Sequence, residues 1–96
     1  MKATFHPEAL DELIEAMAYY QNKRKGLGDE FYEEVDTTIK KIEEHPERWP
    51  VLLAPIQRCR TDRFPYKLVY QVLEGEILIV ALMHDSREPG YWLHRI

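Results

Sequence analysis

Between Arg48 and Lys67 the chain carries five basic side chains, Arg48, Arg58, Arg60, Arg63 and Lys67, against a single acid, Asp62. Cations clustered in this way attract anions: phosphate, carboxylate, or the charge that develops on a reacting oxygen. A second polar group follows at His84, Asp85, Ser86 and Arg87. Histidine titrates near neutrality, so His84 next to a guanidinium is a candidate for moving a proton or recognising a ligand. Each residue also has a plainer reading. A histidine at a strand end is commonly a hydrogen-bonded structural residue, Arg87 can tie the tail to an acidic helix, and Tyr66, Tyr70 and Trp92 are of the type that fills cores. Cys59 has no histidine or acid placed beside it in sequence, and its position suits a small buried side chain rather than a nucleophile.

The elements that must hold these residues follow from 96 residues with 45% hydrophobic content, the size and composition of one small globular domain spanning 1–96. A chain this short leaves little room for a deep enclosed site, so function is expected on an open face or shallow groove. One cysteine excludes an internal disulfide framework, and His6, His45, His84 and His94 lie too far apart for a local metal motif. No metal or cofactor is therefore expected. No apolar run reaches the roughly 20 residues needed to cross a bilayer, and a cytoplasmic location with no membrane partner is expected. The net charge of −4 is unevenly spread: Glu8 to Glu47 holds 12 acids and 5 bases, whereas Arg48 to Ile96 holds 7 bases and 5 acids. An acidic helical half and a half with a local basic patch are implied.

Along the chain, Lys2 to His6 alternates as one short strand. Pro7 suits a first helical turn. Leu10, Leu13, Ile14, Met17 and Tyr20 then form an apolar stripe at helical spacing, with Gly26 as the stop. After the connector Leu27-Gly28-Asp29, with Asp29 as the N-cap, Phe31, Val35, Ile39 and Ile42 mark a second helix that ends before Pro46. The short connection predicts an antiparallel pair. Trp49 is expected to plug the base of the core, and Val51 to Pro55 to be irregular or extended. Gln57 to Arg63, Tyr66 to Leu73 and Glu76 to His84 read as a three-stranded meander, and Pro89 to Arg95 as a short helix or tail. Seven consecutive apolar residues, Ile77 to Met83, suggest an interior strand. The expected fold is α+β: an N-terminal strand, then an antiparallel helical hairpin packed on a small, mainly antiparallel sheet.

If Glu74-Gly75 is a two-residue turn, Leu73 pairs with Glu76 and Lys67 falls opposite Leu82. Lys67 and His84 then project from one face as diagonal neighbours, with Arg87 completing a cluster. Arg58 and Arg60 share one face of their strand, and Cys59 and Thr61 the other.

Four segments in this order resemble the RelE/ParE superfamily of type II toxin–antitoxin toxins, especially its ParE-like, plasmid-stabilisation branch. They are Gly26-Leu27-Gly28 followed by Phe31, the Pro46 to Pro50 segment, Arg63-Phe64-Pro65-Tyr66-Lys67 leading into Leu68-Val69-Tyr70, and His84-x-x-Arg87-x-Pro89-x-x-Trp92. The resemblance implies a growth-inhibiting toxin silenced by a cognate antitoxin. ParE-like members inhibit DNA gyrase, and the leading expectation is a toxin that acts by binding such a target, with His84, Arg63, Tyr91 and Trp92 as binding residues. RelE-like members cut mRNA on the ribosome. By that resemblance Lys67, Arg87, Arg60 and Arg58 are the catalytic set of an alternative mRNA interferase, with Tyr91 or Trp92 stacking a base. Lys67 stands where an arginine is more usual, and Asp85-Ser86 where the branch is often more basic, so the pull on phosphate is weakened. A third reading is an inactive member that serves only as a binding module.

Overall fold

The computed structural model describes residues 1–96. The elements run β1 (Lys2–Phe5), α1 (Pro7–Lys23), α2 (Leu27–Glu44), β2 (Val51–Leu53), β3 (Ile56–Arg60), β4 (Tyr66–Leu73) and β5 (Glu76–His84), ending in one 3₁₀ turn at Leu93–Arg95. The strands form a single sheet in the order β1-β5-β4-β3-β2. β1 runs parallel to β5 and every other pair is antiparallel. The expected α+β architecture is therefore observed, with the extended Val51 segment realised as a short edge strand.

The helical hairpin covers one face of the sheet. Phe31, Val35 and Ile42 of α2 are buried there against Leu68, Tyr70, Ile77, Ile79 and Leu82, as the spacing predicts. The stripe expected on α1 is only partly the one used. Ala9, Leu13 and Ala16 are buried, whereas Leu10 is 44% and Ile14 57% exposed. Alanines let the helix approach the sheet closely, and the larger residues on either side are turned outwards.

The helix junction also differs from expectation. α2 begins at Leu27 with Gly26 as its N-cap at φ 89°, so Asp29 lies in the first turn instead of capping it. The side chain of Gln21 supplies the missing acceptor, taking the Gly26 and Gly28 N–H groups at 3.1 and 3.2 Å. Gly28 is where the helices touch, because a Cβ there would lie 2.7 Å from the Met17 carbonyl oxygen. Gly28→Ala is therefore expected to destabilise by up to about 2 kcal/mol. Overpacking against backbone costs roughly 1–3 kcal/mol, and the gain in helix propensity of about 1 kcal/mol only partly offsets it. A raised midpoint in thermal unfolding contradicts this.

The Pro46 to Pro50 turn is held from the core. Tyr70 Oη and Gln57 Nε2 both donate to the Pro46 carbonyl, at 2.6 and 3.0 Å, and Gln57 also donates to the Trp49 carbonyl. Trp49 packs at the margin of the main core, as expected.

On the opposite, outer face of the sheet a smaller cluster of Ile56, Val69, Val80, Ala81 and Met83 is covered by Trp92 from the tail. One irregularity governs what else appears there. Val69 pairs with Ala81 but Tyr70 pairs with Ile79, leaving Val80 as an extra residue on β5. This β-bulge shifts the register, so that Lys67 faces Met83 and Tyr66 faces His84.

Candidate functional site

The bulge overturns the expected pairing of Lys67 with His84. With one residue inserted, the alternation of side chains reverses beyond it, and the two residues project from opposite faces of the sheet. His84 and Arg87 do come together, as expected, on the helix side. They line a cleft with Glu15, Tyr19, Tyr66 and Leu82. In it the His84 ring packs edge-on against Tyr66 at 5.0 Å, and His84 Nδ1 accepts the Ser86 N–H at 2.9 Å. Burial, aided by neighbouring Tyr20, pushes the Tyr66 hydroxyl up to about 12, so it stays protonated. Arg87 lies over the Tyr91 ring, 3.8 Å from its centroid.

The outer face gathers Arg58, Arg60 and Lys67. Arg60 stands directly opposite Lys67 in the ladder, and Arg58 is diagonal to it. The basic patch and the His84–Arg87 pair thus occupy different faces. Arg60 is already committed: its Nη1 and Nη2 donate to both oxygens of Asp85 at 2.8 and 2.7 Å. Those bonds hold the Asp85 carboxyl below its ordinary value of 3.8 and raise the Arg60 guanidinium. A carboxyl depressed in the folded state contributes stability that is complete above its unfolded value and is lost as pH falls through the lower folded value. Titration of Asp85 by NMR should therefore show a midpoint below 3.8, returning to the ordinary range in Arg60→Gln. An unchanged midpoint in that variant contradicts the pairing.

Arg63 sits apart from both groups. Its guanidinium pairs with Glu30 at 2.7 Å, and its backbone N–H, with that of Phe64, is taken by Glu34. Arg63 therefore clamps the β3–β4 turn to α2. Cys59 is buried, and burial raises its thiol further from the reactive thiolate. No group of three or more His, Cys, Asp or Glu side chains is arranged to hold a metal ion.

The tail residues Tyr91 and Trp92 both pack against the outer cluster but differ in their partners. Trp92 is buried on the outer face, whereas Tyr91 Oη donates to Glu12 at 2.6 Å. Glu12, one of the acids of the acidic helical half, is 14% exposed at its side chain. Its two oxygens also accept from Arg95 Nη1 and Nη2 at 2.9 and 3.1 Å and from the Leu82 N–H at 3.0 Å. Arg95 Nη1 further donates to the Val80 carbonyl, so the pair satisfies backbone groups on β5 at and beyond the bulge. The same device recurs on α2: Glu34 takes turn N–H groups, and Glu43 takes the Ala3 N–H at 2.8 Å. These helical acids are structural acceptors. One signal for Glu12 lay in the sequence, since it is three residues after Ala9 and four before Ala16, on the stripe that α1 buries.

The chemistry available is uneven. The outer face offers cations and an apolar cavity but no histidine. The inner cleft offers a histidine and aromatic rings, but its arginine is engaged with an aromatic ring and Lys67 lies across the sheet. No helix is long and apolar enough to cross a membrane.

No curated protein sequence matches the chain. In three dimensions it resembles a chain of the chromosomal ParDE TA system from P. aeruginosa, with a TM-score of 0.77 at 12% identity, covering 88% of this chain and 95% of that one. That likeness is one of fold. In sequence, residues 3–89 match the family described as the ParE toxin of the type II toxin–antitoxin system parDE. Since the match runs from β1 to the segment beyond β5, the chain belongs to the ParE family of type II toxin–antitoxin toxins.

Proposed function

We propose that this toxin arrests growth by binding DNA gyrase, without chemistry of its own, and that a cognate antitoxin silences it. The observation that carries the reading is the separation of groups that general acid–base cleavage of RNA needs side by side. A transferable proton and a phosphate-stabilising cation must both reach one reacting phosphate. Of the four residues of the interferase reading, Arg87 lies on the inner face with His84, away from Lys67 and Arg58 on the outer, and Arg60 is neutralised by Asp85. A surface of this kind is suited to recognition. The acidic overall balance, −4, also disfavours a ribosome-bound nuclease, which gains affinity by releasing counterions from phosphates.

Expression without antitoxin should stop growth and relax plasmid supercoiling while mRNA stays intact. Mapping of mRNA ends in the same cells supplies the contrary outcome. Codon-positioned cuts that vanish in Lys67→Ala or Arg87→Ala establish the interferase in its place, and undisturbed growth establishes an inactive binding module.

A further inference from the structure

We propose that the cavity between β2 and the C-terminal segment, on the outer face of the sheet, receives a segment of the cognate antitoxin. One apolar side chain enters the cavity, and a carboxylate beside it meets Lys67 and Arg58. The identity of the occupant rests on the proposed function, whereas the chemistry of the site stands without it.

The cavity, of 280 Å³, is lined by Leu52, Leu53, Met83, Pro89 and Trp92, with Lys67 beside them. Its outer wall is unusual for an edge strand. Sheet edges are ordinarily blunted by charges or covered, because their free backbone groups and apolar side chains invite association. β2 carries no charge, and Val51, Leu52 and Leu53 are 63%, 39% and 55% exposed. Contiguous exposed apolar residues of this kind mark a surface that is covered in use.

The charges point the same way. Arg24, Lys40, Lys41, Arg60, Arg63 and Arg95 are all in ion pairs, and Lys23, Arg48 and Arg87 lie over aromatic rings. Arg58, Lys67, Lys2 and Lys25 have neither kind of partner, and of these four only Arg58 and Lys67 are partly withdrawn from solvent. These two are diagonal neighbours on the outer face. On a chain of net charge −4 this is a local positive site next to an apolar one, complementary to an acidic segment with an apolar anchor. A third observation is independent of charge. Trp92 is 1% exposed and its Nε1–H is buried with no acceptor. Unpaired buried donors are costly, and the side chain that carries this one is part of the cavity's lining.

A peptide fits these features better than a nucleic acid. Phosphodiester and ribose groups gain nothing from Leu52, Leu53, Met83 and Pro89, and an apolar side chain is what such a lining stabilises. An antitoxin tail that is disordered when free can fold over this face on binding, with the anchor fixing its register.

The test titrates the full-length, isotope-labelled chain with an acetylated hexapeptide holding one leucine among glutamates. The protein has two tryptophans, so the indole signal of Trp92 can be assigned and followed. The expected result is a saturable shift of the Trp92 indole and the Met83 methyl. Binding should weaken about tenfold in Lys67→Glu and with a peptide carrying glutamine for glutamate. No shift at Trp92, or stronger shifts there from a thymidine oligonucleotide, overturns the site's chemistry. The occupant is tested with the antitoxin encoded beside the toxin gene. Leu53→Asp, an exposed position, should reduce its affinity about tenfold or more. Equal affinity for the parent chain and for both variants overturns the antitoxin as occupant. If the chain arrests no growth, the proposed function fails while the peptide titration still decides the cavity.

Discussion

Replacing Glu12 with alanine is expected to remove about 3–5 kcal/mol of folding stability, because it leaves a buried cation without its partner. The Arg95 side chain is 6% exposed and that of Glu12 14%, and the two are joined by a pair of hydrogen bonds. Arg95 keeps the Val80 carbonyl and, as its one remaining anion, the more distant Glu8, 3.6 Å from its Nε. The Leu82 N–H and the Tyr91 hydroxyl lose their acceptors at the same time. A domain of this size commonly has a total stability of about 5–15 kcal/mol, so the loss is a large fraction of it. Denaturant unfolding should show a lower midpoint with little change in slope. A loss of less than about 1 kcal/mol contradicts the assignment of Glu12 as the joint between α1, the β5 bulge and the tail.

Trp92→Ala is expected to cost about 3–5 kcal/mol, the usual range for removing a buried large aromatic side chain. Trp92 covers Ile56, Val69, Val80, Ala81 and Met83, and no helix lies on that face to replace it. Its effect should also couple to that of Glu12. The 3₁₀ turn that brings Arg95 to Glu12 begins at Leu93, immediately after Trp92. Releasing Trp92 frees the turn, lets Arg95 regain water, and removes much of the penalty for losing Glu12. The double variant should therefore be more stable than the sum of the single losses predicts, by about 1 kcal/mol or more. Strict additivity in the cycle shows that the tail is not held as one unit.

The order of elements is legible in the sequence because local signals mark it. Pro7, Gly26, Pro46 and the Glu74-Gly75 turn punctuate segments whose apolar spacing is helical or strand-like, and Phe31, Val35 and Ile42 are buried as that spacing requires. The register of β5 is not legible, and the reason is specific. Ile77 to Met83 is apolar on both faces, so no alternation of polar and apolar residues reveals that Val80 is an inserted residue. A count across the turn then places Lys67 and His84 together when they are one face apart. The stripe on α1 misleads for a related reason. Leu10 and Ile14 have the hydrophobicity, but close approach to the sheet selects Ala9 and Ala16. The acceptor roles of Glu12, Glu34 and Glu43 depend on contacts between residues 29 to 83 positions apart, which no local pattern encodes.

The candidate site follows the same division. That Arg58 and Arg60 share a face, and that Arg87 accompanies His84, can be read from strand alternation and short spacing. That Asp85 neutralises Arg60, and Glu30 holds Arg63, depends on the folded sheet and helix. The cations of the basic run left with neither an acid nor an aromatic ring, Arg58 and Lys67, are therefore fewer than that run suggests, and they face away from the histidine.

The most direct measurement of how this toxin acts is a supercoiling assay with purified gyrase and the purified chain. Inhibition should rise with toxin concentration, be reversed by the antitoxin, and leave added mRNA on ribosomes uncut. Undiminished supercoiling together with ribosome-dependent cleavage of that mRNA contradicts this mode of action.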